Sequence, residues 1–311
     1  VVTGNLQHTP SQCVAQNQIQ NILKYTVMKY LLSLLFVFLC ITGAAQETCS
    51  RIIDRATPVD TARYKVTYSL KYKFHPDQRD VLNDTRIVQI GKRSVKDYSD
   101  IINHFDSLAT EQIRRGADSY SNVSGHPWPL EIIRPVRGEK ADLKYRLSMS
   151  AFFVYSDSIP SLEWNFSSEE TESIMGYDCR KATTDFAGRT YTAWFTPEIP
   201  LPFGPYKFGG LPGLILKIED AERQFVWEAI GFERTNNPIM EYTYHDGNDK
   251  RCSATDVEKT LVRYFKSPVG FMISEMGGDS NRVHIVGKDG KVMNNADATR
   301  MSVPYIPLEL E

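Results

Sequence analysis

The sequence predicts a mainly β (α+β) fold: a single curved antiparallel sheet of several hairpins, half-barrel-like at its limit, with about two covering helices. Three observations carry that expectation. In YKVTYSLKYKF, Tyr64, Val66, Tyr68, Leu70, Tyr72 and Phe74 alternate with Lys65, Thr67, Ser69, Lys71 and Lys73 without a miss. A period of two means a long strand with one buried face. Short glycine-bearing turns separate further alternating runs, and only two stretches show the spacing of an amphipathic helix.

Along the chain, the first 45 residues stand apart from this pattern. MKYLLSLLFVFLCITGAAQ starts at Met28 with Lys29, runs apolar from Leu31 to Ile41 with only Ser33 interrupting, and ends in Gly43, Ala44 and Ala45. That is the layout of a secretory signal peptide over residues 28–45, and its apolar run is short for a bilayer span. Residues 1–27 are polar, lack acids and begin with Val1, and are read as an over-extended translation start. Cys40 follows three bulky residues, Val37, Phe38 and Leu39, where a lipid-acylation site presents small ones. The expected product therefore starts near Gln46, is exported to the periplasm or cell exterior, and is membrane-proximal with no transmembrane helix in its mature part. No internal repeat, low-complexity run or linker interrupts residues 46–311, which are read as one β-rich domain.

After the first strand, SDIINHFDSLATEQIRRG places Ile102, Phe105, Ala109 and Ile113 on one helical stripe, with Ser99 or Asp100 as cap and Gly116 as stop. Period-two alternation returns from Lys144 to Tyr155, with Tyr145, Leu147 and Met149 on one side. Asp178–Phe186 and Thr190–Thr196 form a hairpin through Ala187-Gly188-Arg189. Leu214–Glu219 and Gln224–Ile230 form a second through the DAER turn, and Asp289-Gly290 marks a third. SATDVEKTLVRYFKSP then gives a second helix, apolar at Val257, Leu261, Tyr264 and Phe265 and stopped by Pro268.

Between the first two hairpins lies PEIPLPFGPYKFGGLPG, whose seventeen residues include five prolines and four glycines. Such a segment is neither ladder strand nor helix, and its prolines make it a stiff strap rather than a loose linker. Gly209, Gly210, Pro212 and Gly213 form its turn residues, with Leu211-Pro212-Gly213 fitting a type II turn that puts Gly213 at positive φ. Trp194, Phe203, Tyr206 and Phe208 offer more aromatic surface than a connection needs, and are the candidate ligand-binding residues.

Gly176–Asp220 resembles the signature of the GLPGLI family, named for the hexapeptide that stands here as Gly210–Ile215. The leader, the TYSLKYKF strand and the ending YIPLELE strengthen the resemblance. It implies a small, β-rich, secreted or periplasmic protein of Gram-negative bacteria with no assigned activity, and therefore no catalytic residue to carry over. The predicted architecture is also similar to the half-barrels of periplasmic lipoprotein carriers, in which a concave sheet shelters an acyl chain.

Composition narrows the function classes. With 311 residues, 41% hydrophobic, 24% charged and a formal charge of −2, the chain can bury a core and presents no basic field for nucleic acid. Removing residues 1–45 deletes Lys24 and Lys29 and no acid. Cys49, Cys179 and Cys252 remain, enough for one disulfide whose pairing sequence leaves open. Nucleophile elbow, zinc-protease, P-loop and dinucleotide motifs are absent, and His75, His104, His126, His245 and His284 are scattered, so neither cofactor nor metal is expected. The reading is a non-catalytic envelope protein that binds a hydrophobic ligand or a partner polypeptide on an aromatic-lined sheet. The alternatives are a hydrolase of unrecognised type and an assembly or scaffold factor for an outer-membrane complex.

Overall fold

A computed structural model describes residues 49–73, 78, 80–147, 151–245, 249–275, 294–302 and 305–309. The upstream extension, the leader, Phe74, Met149 and the third hairpin fall outside them. The described residues belong to two compact units, one containing 49–266 and 305–309, the other 267–275 and 294–302.

The first unit is a large open sheet ordered β13-β6-β5-β4-β3-β2-β1-β11-β10-β9-β8-β7, with β12 paired to β1 off that path. In chain order the strands are β1 Ile53–Tyr72, β2 Leu82–Gly91, β3 Ser94–Ser99, β4 Leu130–Pro135, β5 Lys140–Leu147, β6 Ala151–Ser158, β7 Asn165–Ile174, β8 Tyr177–Phe186, β9 Arg189–Thr196, β10 Leu214–Asp220, β11 Phe225–Arg234, β12 Pro238–Tyr244 and β13 Asp249–Arg251. Neighbours pair antiparallel except β13, which lies parallel to β6, so the sheet is mixed rather than purely antiparallel.

β1 is the hub. Its first half pairs with β12, and its second half lies between β2 and β11. Val66, Tyr68, Leu70 and Tyr72 are buried, as the alternation requires, and each contributes about 1.5–3 kcal/mol by leaving water. Tyr64 is half-buried, stacked on Phe232. The run from Lys144 to Tyr155 is two strands rather than one, because β5 and β6 fold back on each other with Tyr145 opposite Phe153.

Two hairpins show why their turns suit them. Met175 and Gly176 link β7 to β8 at φ 53° and 82°, and Ala187 and Gly188 link β8 to β9 at φ 47° and 74°. Two consecutive left-handed residues match the twist of the flanking strands. At the outer edge, β7 carries extra residues between Phe166 and Thr171 relative to β8. Such a bulge disturbs the ladder of an edge strand and blunts it against pairing with other chains.

Helix α1, Asp100–Arg114, is capped by Ser99, whose Oγ accepts from the Ile102 N–H at 3.2 Å, and is stopped at Gly116, φ 83°. It packs on β1, β2 and β3. Its buried line is Asp106, Ala109 and Thr110, whereas Ile113 is exposed and Phe105 half-buried. The expected apolar stripe is rotated because Asp106 pairs with Arg146 from β5, at 3.0 and 2.6 Å, and accepts the Arg51 N–H. Helix α2, Ala254–Lys266, buries Val257, Leu261, Tyr264 and Phe265 as expected. Ser253 and Asp256 cap it reciprocally, Ser253 Oγ accepting the Asp256 N–H while Asp256 Oδ2 accepts from Ser253.

The second unit pairs α3, Pro268–Glu275, with α4, Asn295–Thr299. Ser267 Oγ donates to the Thr299 carbonyl at 2.6 Å and ties the two together.

Candidate functional site

The strap, residues 197–213, is held on the sheet by buried polar groups. Arg134 on β4 donates from Nη2 to the carbonyls of Gly204 and Phe208, both at 2.9 Å. Asp97 on β3 accepts the Tyr206 N–H at 2.7 Å, and Tyr68 on β1 donates its hydroxyl to the Ile215 carbonyl at 2.6 Å. Arg86 on β2 in turn holds Asp97 at 2.7 Å, reaches Asp84 at 3.3 Å, and donates to the carbonyls of Trp128 and Leu130. Burial lowers the Arg134 guanidinium to about 10, against the pull of Asp97, so it remains a cation at neutral pH. Burial pushes the Asp84 carboxyl up to about 6 despite Arg86. Arg86 itself is shifted upward although desolvation opposes it. The difference is geometric: the guanidinium gains from two carboxylates, but its closer bond is to Asp97 and Asp84 holds only a distant arm.

Within the strap, Phe208 N–H donates to Pro205 O at 3.1 Å and closes a tight turn whose second residue, Tyr206, sits at φ 55°. A bulky side chain at positive φ is strained, at roughly 1–3 kcal/mol, and persists only where its surroundings impose it. Here Asp97 and Arg134 do so. They aim the Tyr206 phenol toward the C-terminal segment 305–309, where it donates to Glu309.

That segment is itself pinned. Arg189 on β9 donates to the carbonyls of Pro307 at 2.7 Å and Leu308 at 3.1 Å while pairing with Asp220 at 2.9 Å. Lys207, beside Tyr206, bridges Asp157 and Glu309 at 2.6 Å each. Tyr305 stacks on Phe265 of α2 with ring centroids 4.2 Å apart.

Between these elements lies a cavity of about 290 Å³. The sheet supplies Tyr145 and Tyr155, the segment leading into β4 Trp128, the strap Tyr206, and the C-terminal segment Tyr305, while Val257 and Leu261 of α2 add apolar surface. Three carboxylates, Asp157, Glu258 and Glu309, also line it. Burial pushes the phenols of Tyr155, Tyr206 and Tyr305 upward, and the nearby acids add to the shift, Glu309 foremost for Tyr155 and Tyr206 and Glu258 for Tyr305. All three stay protonated at neutral pH.

The four rings singled out in the sequence do not converge here. Of them, Tyr206 alone lines this cavity. Phe208 is fully buried against Tyr191, Phe186, Trp227 and Tyr206, a plug of the core. Trp194 lies under the Lys217 ammonium and Phe203 beside the Arg134 guanidinium. The turn glycines also differ from expectation. Gly210 takes positive φ, at 85°, whereas Gly213 is not left-handed. Gly213 is needed because the chain passes close to the end of β9: a Cβ there would come within 2.6 Å of Thr196 C and 3.0 Å of Pro197 N. Gly209 faces the same restriction from the Pro202 carbonyl at 2.8 Å, and Pro212 is exposed. Tyr145, Tyr155, Asp157, Glu258 and Glu309 carried no signal in sequence, because only the fold brings β5, β6, α2 and the C-terminal segment together.

Cys179 and Cys252 are free thiols. Cys179 lies on β8 and Cys252 beside β6, at opposite ends of the strand order. Among the described residues, no group of three or more His, Cys, Asp or Glu is placed to hold a metal, and no helix is long and apolar enough to cross a membrane.

The fold and this cavity define a β-rich protein with an aromatic recess at one part of its sheet. A family model described as a protein of unknown function (Porph_ging) matches residues 187–217, from the β8–β9 turn into β10. The match includes the Gly210–Ile215 hexapeptide, although the model does not carry the GLPGLI name. No curated protein matches. Two crystal forms of PNGF-II are similar at 18% identity and a TM-score of 0.44, covering 66% of this chain and 34% and 33% of theirs. This chain therefore spans about a third of the length of those structures, and a likeness of that degree carries no functional argument.

Proposed function

We propose that the protein is a non-catalytic envelope protein that holds a small, largely apolar ligand in the cavity between β5, β6, the strap, α2 and the C-terminal segment. The observation that carries this reading is convergence: five aromatic rings from separate parts of the chain wall one recess, and one of them is kept at a strained φ by a buried ion network. Strain held in place by its surroundings concentrates at sites of function, and a preset wall lowers the ordering cost of binding. The leader-like residues 28–45 support an exported location. Two of the cavity acids, Asp157 and Glu309, are tied to one lysine, an arrangement that suits a wall better than a hydrolytic pair.

The test is titration of the full chain with the neutral fluorescent probe N-phenyl-1-naphthylamine, beside native mass spectrometry of protein taken from its own envelope. Saturable uptake that is lost in Ala254→Trp, a substitution filling the cavity from the helix side, is expected. Uptake that is absent, or unchanged in that variant while the fold is intact, removes the reading.

A further inference from the structure

We propose that the ligand of this cavity is an organic cation, an amine carried on an apolar body; the inference rests on the ligand-binding reading above. Its basis is the balance of charge and rings around the recess. Asp157, Glu258 and Glu309 line the cavity, and no lysine or arginine is among the described lining residues; the buried Lys207 behind the wall bridges Asp157 and Glu309. One lysine against three carboxylates leaves an excess of negative charge. Among the described residues Glu258 has no ion-pair partner, and it is exposed at the helix side of the recess.

The rings point the same way. A cation over an aromatic face is attracted by the negative face of the ring, most strongly where water is excluded. In this protein that arrangement is filled from within at several places: Arg146 lies against Phe152 and Tyr244, Lys96 against Tyr98 and Tyr242, Lys217 against Trp194 and, among the cavity rings, Lys207 against Tyr206. The cavity faces of Tyr155 and Tyr305 have no such cation from the described residues, and their hydroxyls make no hydrogen bond to them. Burial leads the upward shift of both phenols, and Glu309 and Asp157 at Tyr155 and Glu258 at Tyr305 add to it. An anionic ligand would meet three carboxylates with no unshared cation among the described lining residues to receive it, because Lys207 already bridges Asp157 and Glu309. The volume, about 290 Å³, lies at the lower edge of small-molecule sites, about 300–1,000 Å³.

Three ligands of one shape separate the possibilities: 2-phenylethylamine, 2-phenylethanol and 3-phenylpropanoate, each titrated calorimetrically into the full chain at neutral pH. The amine should bind about tenfold more tightly than the alcohol, the carboxylate should not bind measurably, and added salt should shrink the amine's advantage. Glu258→Gln, at an exposed position, should weaken the amine severalfold and leave the alcohol unchanged. Equal binding of amine and alcohol, or a Gln variant that leaves their ratio unaltered, overturns the cation assignment while the cavity keeps its role. Carboxylate binding as tight as the amine's also overturns it. If none of the three binds, and the neutral naphthylamine probe also fails, both the assignment and the binding reading fall together.

Discussion

Gly213→Ala isolates a close approach of backbone from a conformational requirement. The added Cβ would lie 2.6 Å from Thr196 C and 3.0 Å from Pro197 N, and nearer still to the Thr196 carbonyl oxygen. All of these are backbone atoms, so no side chain can swing aside. Relief needs a shift of roughly 1 Å where β9 ends, at the Leu214–Thr196 pairing and beside the Leu214 N–H bond to Ile199 O of 2.9 Å. Overpacking of about 1–3 kcal/mol plus one or two weakened backbone hydrogen bonds at about 1 kcal/mol each gives roughly 2–5 kcal/mol. For a domain of this size that is a fall in Tm of roughly 10 °C. Gly210→Ala is the control, because Gly210 has φ 85° but its nearest outside atom, Trp164 Nε1, is 3.8 Å away. It should cost about 1–2 kcal/mol, the left-handed penalty alone. Urea denaturation with a common m-value compares the two directly. A Gly213→Ala variant no less stable than Gly210→Ala would refute the steric account.

Phe208→Ala removes a fully buried ring packed on four others and should cost about 3–5 kcal/mol, with little change in naphthylamine uptake by the folded fraction; strong loss of uptake without loss of stability would show the ring to be a wall rather than a plug. For Asp84, with a folded pKa of about 6 against 3.8 when unfolded, both states are protonated below about pH 4 and the buried charge costs nothing. Above about pH 6 the folded state carries the whole cost, so stability relative to Asp84→Asn should fall as pH rises from 4 to 6. Denaturation midpoints of the two proteins across that window check the sign, and a relative gain in stability with rising pH would contradict it.

The parts of the molecule legible in sequence are those where one local rule decides. Alternation placed the second half of β1, a short glycine-containing turn placed the β8–β9 hairpin, and the apolar spacing of Val257, Leu261, Tyr264 and Phe265 placed α2 with its buried face. Sequence reasoning failed where a charge lies inside. In β2, Asp84 and Arg86 share the buried parity of Leu82, Val88 and Ile90, and Asp106 displaced the apolar stripe of α1. Charged residues at core positions look solvated in sequence, because their partners, Asp97 for Arg86 and Arg146 for Asp106, come from other strands. The cavity was illegible for the same reason. Its acids and phenols are ordinary surface types until the strap and the segment ending at Glu309 close over β5 and β6.

The strand order also bears on how the protein is made. On one side of β1 the strands β2 to β6 follow in chain order, and on the other β11 back to β7 do the same, so each run can zip from near neighbours with short loops to close. β1 is different, since Leu70 must meet Trp227 from the far run. A chain appearing N-terminus first therefore holds β1 with β2 on one side and nothing on the other until β11 arrives. During that interval a long, tyrosine-rich edge is open to strands of other nascent chains. The hazard of aggregation is thus greatest in the nascent chain, and in a cell the yield of this protein turns on whatever shields β1 until Arg234 has emerged.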